Sequence, residues 1–333
     1  MEQKKKKGRI LSGMRPTGRL HLGNFAGALE NWVMLQSEYE DFHFVADWHV
    51  LTTGYENTAH IKADSIEMVI DWLAAGLDPE ITTFFVQSHI KEHAELHLLF
   101  SMLITASRLE RNPTVKEQVR DLDLGDLYSY GLLGYPVLQA ADILMYKANY
   151  VPVGEDQVPH VEITREIARR FNSLYGTVFP EPDAKLTAFG RLPGLDSKRM
   201  SKSVGNVILL SEDPESIRKK IKGAITDPQK VYKGDPGHPE ICPIFAYQKK
   251  FNPNPDAVEC IMRDCRSGAL GCADDKKNLT NILIEKLTPF REKHAYYSTH
   301  QKEILDIIDD GDRRARAVAQ ATMDEVHEAM KMG

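Results

Sequence analysis

No stretch of this chain is apolar for long enough to cross a membrane, which takes roughly 20 residues. Its first residues, Met-Glu-Gln-Lys-Lys-Lys-Lys, lack the apolar core of a secretory leader. The cytoplasm is therefore the expected location, with no membrane partner. Cysteine is scarce: the four residues all fall between Cys242 and Cys272, and a cytosolic chain would not use them for stable disulfides. An excess of positive charge is also missing. The formal net charge of −6 argues against coating nucleic acid non-specifically, yet leaves room for a local basic face on a folded RNA. Lys4 to Lys7, read as a tail, and Arg218 to Lys222, read as one solvated helix face, are the candidates. Low-complexity linkers and internal repeats are absent. What is present, 42% hydrophobic residues in a chain of 333, suffices for a large core and two domains at roughly 100 to 200 residues each.

Strand and helix signals alternate through the first half. Ile10 and Leu11 end a strand before a glycine-rich turn, and Phe25, Leu29, Trp32 and Val33 follow on one helical face. Asp41 to Thr52 reads as a buried strand, and the next helix turns Ile61, Val69, Trp72 and Leu73 inward and ends at Gly76. Ile81 to Gln87 is a further strand, Glu92 to Ser107 a helix, and Tyr135 to Asn149 another. Tyr150 to Gly154 is a short strand, and Asp156 to Asn172 is helical through Val161, Ile163, Ile167 and Phe171. Such alternation predicts an α/β fold, a Rossmann-like doubly wound parallel sheet that binds ligands beyond the carboxyl ends of its strands. The expected division is a catalytic domain over 1–203, with an insertion around 108–132, and a helical domain over 204–333, where Asp213-Pro214 opens a helix.

Two stretches carry phosphate chemistry. Gly13 to Gly27 packs glycines, His21 and Asn24 into a helix start, where unpaired N–H groups and the helix dipole favour anions. Far downstream, Lys198-Arg199-Met200-Ser201-Lys202-Ser203 places three cations and two hydroxyls in six residues. A third constellation, Tyr135, Gln139 and Asp142, falls at i, i+4 and i+7 on one helix face. It reads either as a satisfied buried network or as a pocket in which ionised Asp142 accepts an indole N–H or a phenol O–H. His93 and His97 share a face without the glutamate of a zinc-protease motif and read as surface or core-edge histidines.

Together, His21-Leu-Gly-Asn24 and the Lys198–Ser203 loop resemble the two signature motifs of class I aminoacyl-tRNA synthetases. The segments Phe85 to Leu96, Tyr135 to Ile143 and Val151 to Gln157 make the chain, over essentially its whole length, similar to the tryptophanyl-tRNA synthetases. The resemblance implies activation of tryptophan by ATP and transfer to tRNA(Trp), by a homodimer with the tRNA crossing subunits. It implies that Asp142 holds the indole nitrogen, with His49, Tyr135, Gln139, Val151, Val153 and Gln157 completing the pocket. It implies ATP contacts from Arg15, Pro16, Thr17, Gly23, Asn24, Gly154, Glu155 and Asp156, with Leu192 near the adenine. Arg199, Met200, Ser201, Lys202 and Ser203 would close over the phosphates, and Mg²⁺ would accompany ATP. Catalysis would rest on His21, Asn24, Arg199 and Lys202, and the helical domain would read the anticodon.

Three departures qualify the match. The first motif ends in Asn24 where histidine is common in the class, and Arg199 replaces the first lysine of the loop. Gln139 stands where many bacterial members carry methionine, and Tyr-x3-Gln-x2-Asp is also the tyrosyl pattern; tyrosine thus remains the alternative substrate. A non-catalytic RNA-binding paralogue is the alternative of another class. Some tryptophanyl enzymes bind a [4Fe-4S] cluster through C-x22-C-x6-C-x2-C, which Cys242, Cys265 and Cys272 match in three positions. The fourth is Asp275, so Asp275 or Cys260 would have to substitute, or the thiols are idle.

Overall fold

The computed structural model describes residues 6–125, 127–186, 192–232 and 234–332. By contacts the chain divides into one unit of Met1–Gly18, Asn31–Ala188 and His300–Gly333, and another of Arg19–Glu30 and Phe189–Thr299. The boundary expected at 203/204 does not coincide with this division: residues 19–30 and 189–203 group with helices, and 300–333 with the sheet.

The first unit is built on five parallel strands in the order β3-β2-β1-β4-β5. They are β1 Arg9–Met14, β2 Glu40–Val45, β3 Thr82–Val86, β4 Tyr150–Val153 and β5 Asp183–Leu186. Register sets apolar residues side by side, Leu11 opposite Phe42 and Phe44 opposite Phe85. Helices Tyr130–Met145 and Val158–Tyr175 bury Val137, Ile143, Val161, Ile163, Ile167 and Phe171 in the core cluster that also takes Leu11, Phe42 and Phe85. Strand order reverses between β1 and β4, the position at which doubly wound sheets bind ligands. Arg15 follows β1 there and Gly154 follows β4.

One local expectation is corrected. The strand read over 41–52 stops at Val45, and helix Asp47–Gly54 replaces its second half. The Asp47 carboxylate accepts the N–H groups of Trp48 and Ser88, both at 3.0 Å, which favours a helix start. Strand β5 carried no signal, because its four residues, Asp183-Ala-Lys-Leu186, are too few for a pattern and include three weak strand formers. Within 108–132, helix Pro113–Asp121 starts at Asn112, whose Oδ1 accepts the Thr114 N–H at 3.0 Å.

The second unit is helical: Pro214–Gly223, Pro243–Phe251, Pro255–Arg266 and Cys272–Thr299. The first of these, capped by Asp213 as expected, buries Ile217 and Ile221; the last buries Leu279, Leu283 and Leu287. Residues 20–22 pair with 208–210: Leu22 N–H donates to Ile208 O and Leu210 N–H to Leu20 O, both at 2.9 Å. The chain then runs through α-helix Leu22–Asn24, a π-turn Phe25–Leu29 and α-helix Glu30–Leu35. Single π-turns of this kind are frequent at functional sites.

Candidate functional site

In the sheet-bearing unit, Asp142 lies fully buried on helix Tyr130–Met145 and takes three donated hydrogen bonds. His49 Nε2 reaches Oδ2 at 2.7 Å, while Gln87 Nε2 at 2.7 Å and His93 Nδ1 at 2.6 Å reach Oδ1. Burial pushes this carboxyl up, but the hydrogen bonds from His49 and His93 overturn that and hold it at about 2. It is therefore ionised, and an ionised carboxyl has about four acceptor positions. His93 passes the chain on through Nε2 to Tyr146 Oη at 2.8 Å. The placement of His93 at a surface or core edge is thus corrected: it is fully buried and belongs to this network. His97 is half-buried, and burial lowers its pKa.

Tyr135 enters a second chain. Asn112 Oδ1 accepts the Thr114 N–H, so its Nδ2 faces His160 Nδ1 at 3.2 Å, and His160 Nε2 stands 2.8 Å from Tyr135 Oη. Because Nδ1 must accept in the neutral ring, Nε2 carries the proton and donates to Tyr135. The phenol proton is left for another acceptor. Arg15 donates through Nη2 to Thr53 Oγ1 at 2.5 Å, while its buried Nε has no partner. Burial lowers its pKa, and an anion is the partner that would offset that cost.

The helical unit carries the other cluster. His21 caps the helix that follows: its Nδ1 accepts the N–H groups of Gly23 at 3.1 Å and Asn24 at 3.3 Å, and Asn24 Oδ1 accepts the His21 N–H at 3.1 Å. Burial, then the charge of Lys202, lowers the His21 pKa to about 4. The ring is neutral at pH 7 with Nδ1 committed as acceptor, so Nε2–H is a donor. The two signature motifs meet in this unit. Lys202 Nζ donates to Arg19 O at 2.8 Å, and a Cβ added to Gly23 would lie 2.5 Å from Met200 Sδ. Ser201 and Ser203 bond through their hydroxyls at 2.8 Å, and Arg199 is exposed.

The family model described as tRNA synthetases class I (W and Y) matches residues 3–288. The chain belongs to this synthetase family. A tryptophan–tRNA ligase of Thermotoga maritima is 50% identical over 325 residues, covering 97% of this chain and 99% of that one. One of Aquifex aeolicus is 43% identical over 393 residues, covering 97% and 100%. Among solved structures, a tryptophanyl-tRNA synthetase from Campylobacter jejuni complexed with ADP and tryptophan superposes with a TM-score of 0.84 at 32% identity, covering 97% of this chain and 99% of that one. A tyrosyl-tRNA synthetase from Archaeoglobus fulgidus shares the fold, with a TM-score of 0.68 at 21% identity, covering 87% and 91%.

The remaining expected site residues of this synthetase are placed as follows. Val151 and Val153 are buried in β4, and Gln139 is half-buried on the helix that carries Tyr135 and Asp142. Gly154 precedes the turn Glu155–Gln157, and Gln157 N–H donates to Gly154 O at 3.0 Å; the Asp156 side chain lies outside the described residues. Pro16 is buried, Thr17 exposed, and Leu192 buried in the helical unit. The roles of Gln87, His93, Asn112 and His160 were not legible in the sequence, since these residues reach the Asp142 and Tyr135 chains from separate segments with no shared local spacing.

Cys242, Cys265, Cys272 and Asp275 line one cavity, whereas Cys260 is exposed and not in its wall. Asp275 thus takes the fourth place. These donor types suit an iron-sulfur cluster, but the enclosed space is about 20 Å³, room for one water. Among the described residues, no three of the four donor atoms come within 4.8 Å of one another, so a single tetrahedral ion is not held either. The side chains as they stand fit neither group.

Proposed function

We propose that the chain activates L-tryptophan with ATP and transfers it to the 3′-terminal ribose of tRNA(Trp), the reaction of a tryptophan–tRNA ligase. The observation that carries this reading is the meeting of the two motifs in one unit, Lys202 on the Arg19 carbonyl and Met200 against Gly23. The full-length tryptophan–tRNA ligase relatives favour tryptophan over tyrosine. In this reading the amino acid's carboxylate attacks the α-phosphorus and pyrophosphate leaves, so the protein supplies neither nucleophile nor general base. It contributes position and charge.

The roles follow from the donors. His21 Nε2–H and the Asn24 side-chain amide donate to phosphate oxygens, and Arg199 and Lys202 neutralise the leaving pyrophosphate. The loop gathers cations and not metal ligands, so Mg²⁺ accompanying ATP would be held by the nucleotide's phosphates and would add to the neutralisation of their charge. Arg15 meets an anionic group of the ligands, Tyr135 donates its remaining proton, and Asp142 accepts the indole N–H at its fourth position. Because Asp142 is fully covered, that contact requires the His49 or Gln87 side chain to turn aside. Residues 1–203 carry activation, the helices from Pro214 to Thr299 read the anticodon, and a homodimer acts in the cytoplasm.

Replacing Lys202 by Ala tests the charge role, since it removes an interaction needed mainly in the transition state. The turnover of tryptophan-dependent ATP–pyrophosphate exchange should fall about 100-fold, with tryptophan affinity unchanged within about twofold. Equal losses in turnover and affinity would count against it.

A further inference from the structure

We infer that Asn206 is a positioning residue of the activation step, bracing the cationic loop at the height set by the His21 segment. The proposal rests on the activation chemistry above. Asn206 is buried and uses its whole side-chain amide. Its Nδ2 donates to Asp196 Oδ1 at 2.7 Å and to Arg199 O at 3.0 Å, while its Oδ1 accepts the Ser201 N–H at 2.8 Å. Asp196 Oδ1 also accepts the Lys198 N–H at 3.0 Å. One side chain thereby fixes the backbone on both sides of Met200, between the two cations assigned to pyrophosphate.

The backbone of Asn206 is anchored as well. Its carbonyl accepts the Leu195 N–H at 2.9 Å, and within the next four residues the chain pairs with Leu20 and Leu22. The loop and the neutral, donating His21 therefore share one rigid reference. Gly194 is the complement of this brace. A Cβ there would lie 2.5 Å from Asn206 Nδ2 and 2.8 Å from its Cγ, so any larger residue must displace the amide. Removing the brace leaves every proposed contact group in place and changes only where Arg199 and Lys202 stand. A misplacement of about 1 Å can cost on the order of 100-fold in rate.

The test is tryptophan-dependent ATP–pyrophosphate exchange on the full chain carrying Asn206→Ala, Gly194→Ala, or Asn206→Asp with and without Asp196→Asn. Both alanine variants should lose about 30- to 100-fold in turnover while tryptophan affinity, far-UV circular dichroism and the melting transition stay close to those of the unchanged chain. Asn206→Asp alone sets two carboxylates against each other and should be slower still. Adding Asp196→Asn restores one donor–acceptor pair with roles reversed and should recover part of the rate. Turnover within about twofold of normal in Asn206→Ala, or a parallel loss of tryptophan binding, overturns the inference. So does a failure of the reversed pair to recover any rate while remaining folded. If the unchanged chain itself gives no exchange with tryptophan, the functional reading fails instead.

Discussion

A buried carboxyl remains ionised only when donors outweigh its lost hydration, and Asp142 meets that condition with His49, Gln87 and His93. Asp142→Asn presents an amide N–H to groups that already donate. Urea unfolding should show a loss of about 3 kcal/mol or more, and tryptophan binding should vanish; an unchanged midpoint would contradict the network. The depressed pKa of about 2 gives stability that is present above the unfolded value near 3.8 and lost as pH falls toward 2. His21 acts in a different window. Its folded pKa of about 4 lies below the ordinary 6.5, so between these values the unfolded chain binds the extra proton and stability falls as pH falls. Urea titrations at pH 7, 5.5 and 4.5 should show a steeper loss for the unchanged chain than for His21→Gln. Parallel losses would mean that the imidazole is not held neutral.

Among the elements, the last helix, Gln301–Met330, shows how an exposed edge is closed. It lies against β3, the edge strand, with Asp312 Oδ1 accepting the Val86 N–H at 3.1 Å and Arg314 Nη2 donating to Thr82 O at 3.1 Å. Gly311 makes this approach possible, since an added Cβ would overlap the Phe84 carbonyl oxygen. Gly311→Ala should lower stability by about 2 kcal/mol or more by overpacking, read from the urea midpoint, and a neutral effect would contradict the close crossing. Long apolar patterns were legible in the sequence: the helices through Ile163 and Phe171 and through Val69 and Trp72 both formed, and Gly76 closes the latter in the left-handed region. The Asp41–Thr52 stretch misled because Phe42 to Val45 and Val50-Leu51 form one apolar-rich run across a strand–helix junction. At the site, Asp142 and Tyr135 were legible because a single helix face joins them. Gln87, His93 and His160 were not, because their hydrogen bonds depend on where three other segments pack.

For the whole molecule, two motifs separated by most of the catalytic sequence lie in one contact unit. The pocket residues Asp142 and Tyr135 belong to the other. A net charge of −6 is compatible with an RNA substrate only if recognition is local. Gln139, half-buried on the helix of Tyr135 and Asp142, is the position that bears most directly on the choice between tryptophan and tyrosine. The most direct measurement is ATP–pyrophosphate exchange by the purified chain with tryptophan and tyrosine in parallel, without added tRNA. Exchange with tryptophan at least about 100-fold more efficient than with tyrosine, a margin within reach of a site built to hydrogen-bond its substrate, is the predicted result. Exchange with tyrosine alone, or with neither amino acid, would contradict it.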